Sequence, residues 1–562
     1  MPLLGAAVLC LLAGEAAAAE FPLALQPNTE VDELFGYAPE YTQNVPSFDA
    51  DNRAYIRSRG VDIHETSFFH VLEDGVWHER DFIEAVKAAY PDFERVHQGA
   101  GRFAERVVFD TENRAYSILN IALRGGAHRN VLLFSQDQGR SWEVHHLSNG
   151  GVFAMEHFVG HNELEGPPFL LLSRRSAGDH PDPWASYHEF YFVQPRIENG
   201  QLVVPSYTEN HINDDLISLG QHSGGSTFSV TRDGKTHFAW VEVTDANVPG
   251  TPTYVATYDH ATGTVGPHEL VAYAPPKNNS HNRPGIVMDS EGHLHVVTGS
   301  HHGQNFYYTR SLAPNDAYAG WTEPEAVWGT GWTAVSGEER GGQTYVGLVC
   351  DQDDTLHLVF RHWRSGDALF NPAPANYYAA LAYQRKPKGE PWSTPRPLVL
   401  PERGHYSNYY HKLAIDREDR LFLSLSYFDW TLDENKADPD EAYWRRMVVM
   451  SRDGGDTWKL AETEDFADPP PPEPEPEDTD GTGGDTAGDD GEDDDGNDGA
   501  TRGEDTSAGQ GTGDADAPGL EGTGDGCGCT VRGHHQPWGL LVLGFGLIAR
   551  RRRRQSRPYL AR

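Results

Sequence analysis

An all-β fold, a β-propeller of seven four-stranded blades, follows from three features of the 562-residue sequence. Segments of strand composition recur with almost no helical periodicity. A turn followed three residues later by an aromatic side chain or a histidine returns as ENRAY (Asn113, Tyr116), EGPPF (Gly166, Phe169), DGKTH (Gly234, His237), EGHLH (Gly292, His295), DDTLH (Asp354, His357) and EDRLF (Asp419, Phe422). These six anchors give a period of about 61 residues, enough for four short strands with their loops. Radial repetition of such sheets makes a propeller.

The units can be taken in chain order. Residues 1–19 contain an apolar run, LLGAAVLCLLA, and the small residues of a cleavage site, which predicts a leader for export. The segment 20–95 supplies a seventh unit, with DGVWH (Gly75, His78) as a weak copy of the anchor. Within the repeats, SQDQGRSW (Ser135 to Trp142) and SRDGGDTW (Ser451 to Trp458) both fit S-x-D-x-G-x-x-W. They resemble the Asp-box of sialidase-type propellers, a turn between outer strands, so Asp137 and Asp453 are expected to be structural. The propeller domain is expected over residues 20–466.

Residues 467–526 are an acidic spacer: about twenty carboxylates against one arginine, and almost nothing apolar. The spacer carries about half of the net charge of −39, so that charge says little about what the folded part binds. From 527 to 562 come Cys527 and Cys529, a short apolar run at 538–549, and an arginine cluster. This order resembles the C-terminal sorting tails of secreted myxobacterial proteins. It implies export, with the body secreted or anchored at the outer surface through envelope sorting machinery. A simple tail anchor is the alternative. Cys350 alone remains in the body, so no disulfide supports the fold.

Pairing arithmetic locates a site. Strands flanking the turn near Gly292 place opposite each other residues whose numbers average to about 291, which puts His281 against His301 at the open end of one hairpin. In the next unit Tyr345 and Arg361 average to 353, beside the turn at Asp354. Tyr409 and Tyr410 precede the turn at Asp419, and His222 precedes the turn at Gly234. Four adjacent blades would then present proton-transfer groups and a fixed cation to one mouth. His293 and His295, close to their turn, are expected to be structural.

Glycoside hydrolysis ordinarily uses two carboxylates, and no acidic pair occupies these positions. β-Elimination from a uronate uses the set that is present: a cation on the carboxylate, a base for the α-proton and a donor for the leaving oxygen. Arg283, Arg310, Arg340, Arg364 and Lys412 add cations that would suit an anionic, sulfated polymer. Arg283 and Arg364 are expected to bind substrate together with His222 and the tyrosines. No nucleic-acid partner is expected, and the chain is expected to be a monomer.

SHNRPGIVMDSEGHLHVVTGSHHG followed by GGQTYVGLVCDQDDTLHLVFRHWRSGD resembles the BNR-4 type propellers that include ulvan lyases. The matched residues are His281, His295 and His301, then Thr344 and Tyr345, then Phe360 and Arg361. The resemblance implies that His281 and Tyr345 are the base and acid, in an order it leaves open. It also implies that Arg361 neutralises the uronate, that His301 assists in binding or proton transfer, and that one of Tyr406, Tyr409 and Tyr410 completes the site. No cofactor is required for this chemistry. Lyases of this kind can carry a structural zinc or calcium ion, and no tight His/Cys spacing marks one here. Two other readings share the fold: a non-catalytic carbohydrate-binding propeller, and a sialidase-like hydrolase, whose arginine triad and Arg-Ile-Pro motif are missing.

Overall fold

The computed structural model describes residues 37–38, 45–59, 67–96, 106–179, 186–217, 219, 223–301, 305–327, 342–363, 379–399, 408–428 and 444–467. The chain divides into two units, Met1–Glu475 and Pro476–Arg562, and every described residue belongs to the first. The leader, the acidic spacer after Ala467 and the sorting tail lie outside the described residues.

Seven antiparallel sheets make seven blades of a β-propeller. Blade 1 uses Pro46–Phe48, Ala54–Arg59, Ser67–Glu73 and Val76–Asp81. Blade 2 uses Val108–Phe109, Ala115–Leu123, His128–Ser135 and Glu143–Ser148, and blade 3 uses Val152–Met155, Leu170–Asp179, Ser186–Val193 and His211–Leu216. Blade 4 begins at Ser229–Arg232 and Lys235–Val241, and blade 5 at Gly285–Met288 and Leu294–Thr298. Blade 6 begins at Gln343–Cys350 and Leu356–Trp363, and blade 7 at Asn408–Ile415 and Leu421–Phe428. The third strand of blade 7, Trp444–Ser451, pairs with Lys459–Leu460 and also with the N-terminal strand Tyr37–Ala38.

Aliphatic and aromatic side chains fill the spaces between blades. Trp142 of blade 2 packs 5.3 Å from Phe69 of blade 1, and Trp458 of blade 7 packs 5.5 Å from Tyr383 of blade 6. Each tryptophan closes an S-x-D-x-G-x-x-W segment that turns between the third and fourth strands of its blade. In both, the serine hydroxyl donates to the aspartate (2.8 Å) and accepts from the glycine N–H, and the aspartate caps the N–H four residues on. Asp137 and Asp453 are thus consumed by backbone turns.

The turns between first and second strands follow a second rule. Asp49, Asp110, Asp351 and Asp416 each accept the N–H groups two and four residues on, and Asp289 accepts the one four on. The side chain six residues on closes four of these turns: Tyr55, Tyr116, His295 and His357 all reach the aspartate. His295 is therefore structural, as its place beside the turn suggests. The residue three after the aspartate is left-handed, as the turn demands, and is Asn52, Asn113, Gly292, Asp354 or Asp419. Four of these residues also accept an N–H from the preceding blade. Ala50 binds Asn113, Ser290 binds Asp354, Gln352 binds Asp419, and Arg417 of blade 7 binds Asn52 of blade 1.

This rule corrects two expectations. Blade 1 turns at Asp49–Asn52, while the DGVWH segment with Gly75 joins its third and fourth strands. Blade 3 has no tight first turn: residues 156–169 form a longer crossing connection, and Gly166 lies in it.

The centre of the ring is filled. Residues 223–227, which lead into blade 4, cross to blade 7, where Gly224 N–H donates to His411 O (2.7 Å) and Leu413 N–H donates to Gly224 O (3.2 Å). A Cβ on Gly224, whose φ is +99°, would lie 2.1 Å from Val346 O. Only glycine fits that approach.

Candidate functional site

At the end of the ring opposite the tight turns, the first hairpin of blade 5 continues its register past its strands. Gly285 lies opposite Val297 and Met288 opposite Leu294, and the same spacing brings His281 against His301. Their rings stack at 4.0 Å with an interplanar angle of 10°. His301 is buried and His281 is half-buried.

One amide holds both rings. Asn279 Oδ1 accepts the backbone N–H of His281 and contacts His281 Nδ1, each at 2.9 Å. The backbone N–H can only donate, so it fixes which end of the amide is the oxygen. His281 Nδ1 then carries a proton, and its Nε2 presents the lone pair. Asn279 Nδ2 lies 3.2 Å from His301 Nδ1, so that nitrogen accepts, and neutral His301 carries its proton on Nε2. Two stacked imidazoles are thereby held in opposite tautomers.

Blade 6 brings the second pair together by a different register from the one expected. Arg361 lies opposite Thr344, not Tyr345, because the ladder shifts between Thr344 and Gly347. The cause is a bulge at Tyr345, whose φ is +65°. Ten of the eleven non-glycine residues with positive φ among those described are Asn, Asp or Gln, for which this region costs little; Tyr345 is the exception. The bulge re-aims the phenol ring, so that Arg361 Cζ lies 4.6 Å from its centroid and His281 lies 6.0 Å from it, centroid to centroid. Both Tyr345 and Arg361 are buried.

Two residues not expected from sequence support the bulge from behind. His411, fully buried on the first strand of blade 7, contacts Ser223 Oγ at 3.0 Å through Nδ1 and bonds to the Tyr345 backbone. Burial, then the Arg361 charge, pushes its pKa down to about 3, so it stays a neutral hydrogen-bonding strut. Ser223 and His411 lie 188 residues apart, and only the folded ring joins them.

Several described residues around the cluster are cationic. Burial lowers Arg283 to about 10, and Tyr345 lies within its electrostatic reach. His188, on the third strand of blade 3, is held down to about 4 by burial, then by Arg283 and Arg175. His157 is pushed low by burial, with Arg106 and Lys412 among the causes. The charges acting most strongly on His157, His188 and His411 are thus arginines and a lysine. Arg175, Arg106 and His188 were not expected from sequence; Arg175 and His188 are cross-strand partners at the mouth end of blade 3. Arg310 is a correction, because it pairs with His295 toward the tight-turn end and away from the mouth. His222, Arg340, Arg364 and Tyr406 lie outside the described residues. Tyr409 and Tyr410 lie on the strand Asn408–Ile415, and their side chains are likewise not described.

A cavity of about 690 Å³ opens at the other end of the ring, among Gly166, Gln194, Arg196, Arg232, Tyr258 and His260. It shares no residue with the His281 cluster. Among the described residues, one trio of buried metal-type ligands occurs, His161, Cys350 and Asp354, also away from the mouth.

Residues 250–479 match the family described as BNR repeat-containing family member. A search of curated proteins finds no match. Among solved structures, an ulvan lyase bound to -[GlcA(1-4)Rha3S]- is similar at 16% identity and a TM-score of 0.31, over 43% of this chain and 55% of that one. The chain thus spans about half the length of that lyase. A Penicillium chrysogenum alpha-L-arabinanase is similar at 13% identity and a TM-score of 0.32, over 62% and 93%. Trypanosoma rangeli sialidase is similar at 11% identity and a TM-score of 0.33, over 75% and 60%. The family match covers blades 5 to 7 and the outer strands of blade 4, from Thr251 onward.

Proposed function

We propose that the protein is an exported polysaccharide lyase that cleaves a uronate-containing, ulvan-like polymer by β-elimination. The observation that carries this reading is the Asn279 bridge, which gives two stacked histidines opposite proton states beside a tyrosine and a buried arginine. Glycoside hydrolysis ordinarily needs a carboxylate pair, and the described residues of this cluster include none.

In this reading the uronate carboxylate meets Arg361, and His301 Nε2–H donates to the same oxygens as they gain enolate character. Fixed donors at that point stabilise the charge that develops in the transition state. His281 Nε2 removes the C5 proton. The electron pair forms the C4=C5 double bond, the C4–O4 bond breaks, and Tyr345 gives its proton to the departing oxygen. His281 returns its proton to Tyr345 through solvent, which restores the site. The cationic groups Arg283, Arg175 and Lys412 suit the further anionic groups of a sulfated chain.

The test incubates the full-length protein with ulvan and a panel of other uronate polysaccharides while the ultraviolet band of the unsaturated uronate is followed. A rise with one polymer, reduced at least about a hundredfold by His281→Ala and by Tyr345→Phe, is the expected outcome. Folded protein that binds a polymer and leaves it uncut would make this a carbohydrate-binding propeller.

A further inference from the structure

The tight-turn rule accounts for the carboxylate at position 354 but not for two side chains that meet it. In the other turns of this type the residue before the first aspartate is apolar: Phe48, Phe109, Met288 and Ile415. In blade 6 it is Cys350, fully buried. His161 reaches this point from the crossing connection of blade 3. Its Nε2 lies 3.2 Å from Asp354 Oδ1 and 2.7 Å from Asp351 O, and the ligand atoms of His161, Cys350 and Asp354 all lie within 4.8 Å of one another.

The backbone is built to hold them there. Cys350 N–H donates to Val159 O at 2.9 Å. Gly160 has φ +126°, and a Cβ on it would lie 1.7 Å from Cys350 O, so glycine is needed to seat His161 against blade 6. Ser290 N–H and Oγ–H fix the Asp354 carboxylate at 2.6 and 2.7 Å. The locality is also crowded with negative charge. The carboxylates of Asp351, Asp354, Asp289 and Asp419 all act on the Cys350 thiol, with Lys388 the cation that pairs Asp354.

We propose that His161 Nε2, Cys350 Sγ and Asp354 Oδ1 bind a divalent ion of the zinc class, which staples the crossing segment of blade 3 to blade 6. One nitrogen, one sulfur and one oxygen suit zinc or cobalt, whereas calcium and magnesium take oxygen ligands. The Asp351 carbonyl or a water completes a tetrahedron. In the metal-free protein His161 Nε2–H donates to Asp351 O; binding releases the Cys350 thiol proton to solvent and shifts the imidazole proton from Nε2 to Nδ1, which frees the Nε2 lone pair for the ion. The site stands apart from the His281 cluster, so it does not depend on the elimination chemistry.

Cobalt reports directly on thiolate ligation. The full-length protein carrying Cys527→Ser and Cys529→Ser, stripped with a chelator, is titrated with Co²⁺ and then Zn²⁺. One equivalent of cobalt should produce intense tetrahedral d–d bands and a sulfur-to-cobalt charge-transfer band, both erased by zinc, and zinc should raise the melting temperature. Cys350→Ala should abolish the charge-transfer band, and His161→Gln should weaken binding at least about tenfold. Asp354→Asn guards against misfolding, since asparagine occupies the equivalent turn position in blades 1 and 2; it should fold and bind more weakly. A protein that gives no thiolate band, or a Cys350→Ala variant that binds as tightly as its parent, overturns the proposal.

Discussion

Asn279 sets the proton state of two histidines, so its replacement by aspartate gives a sharp prediction. A carboxylate in its place can only accept, and its charge favours both imidazoliums. The base form of His281 would then appear only at higher pH. The acidic limb of the pH profile of the proposed elimination should move up by about one unit, with roughly a tenfold loss of rate below it; an unmoved limb would remove His281 from the role of base. A second residue ties pH to stability. Glu156 is fully buried, accepts Thr231 N–H at 2.6 Å, and burial raises its carboxyl to about 7 from 4.5. The folded state holds this proton more tightly than the unfolded chain. Its contribution is therefore complete below about 4.5 and is lost as pH climbs toward 7, by about 3 kcal/mol. Glu156→Gln should flatten that slope in urea titrations at a series of pH values. The His281–His301 contact was legible in sequence because an unbroken antiparallel ladder preserves the sum of paired residue numbers. The Tyr345 position was not, because a bulge adds a residue to one strand and nothing in T-Y-V announces a left-handed tyrosine.

The first-strand turn is the element that repeats, and its sequence signal was stronger than the three-residue anchor suggests. DADNRAY at 49–55 and DTENRAY at 110–116 are nearly the same heptapeptide, and each ends in a tyrosine bonded to the opening aspartate. Reading the motif from the aspartate would have placed blade 1 at Asn52; Asp-Gly at 74–75 competes because that dipeptide suits any hairpin turn. His411 and Ser223 gave no such signal, because their partners lie in other blades. The turns also clasp neighbours, and a variant can test the clasp between blades 7 and 1. Asn52→Ala loses the bond to Arg417 N–H and puts alanine at φ +61°. It should cost about 2 kcal/mol, whereas Asn52→Gly, which relieves the backbone, should cost less. Equal losses would mean that the clasp matters and the left-handed turn does not. Gly224→Ala, aimed at the filled centre, should cost at least about 3 kcal/mol.

For the whole molecule, net charge and local field point in opposite directions. The chain carries −39, yet among the described residues the charges that act on His157, His188 and His411 belong to Arg106, Arg175, Arg283, Arg361 and Lys412. Capture of a polyanion should therefore weaken steadily as sodium chloride rises through the range where the Debye length falls below about 8 Å, visible as a rising KM at nearly constant kcat. A KM indifferent to salt would argue for a neutral glycan. Composition could not reveal this, because about half of the negative charge lies in a spacer whose twenty or so carboxylates are far along the sequence from the mouth residues. The circular order of the blades has one further consequence. Blade 7 takes an edge strand from Tyr37–Ala38, and its turn grips Asn52, so the first of the described strands waits for nearly the last of them. Until residue 451 has been made, blades 1 and 7 each carry an unsatisfied edge. A chain cut short anywhere before that point keeps both edges open and is a ready partner for another copy of itself.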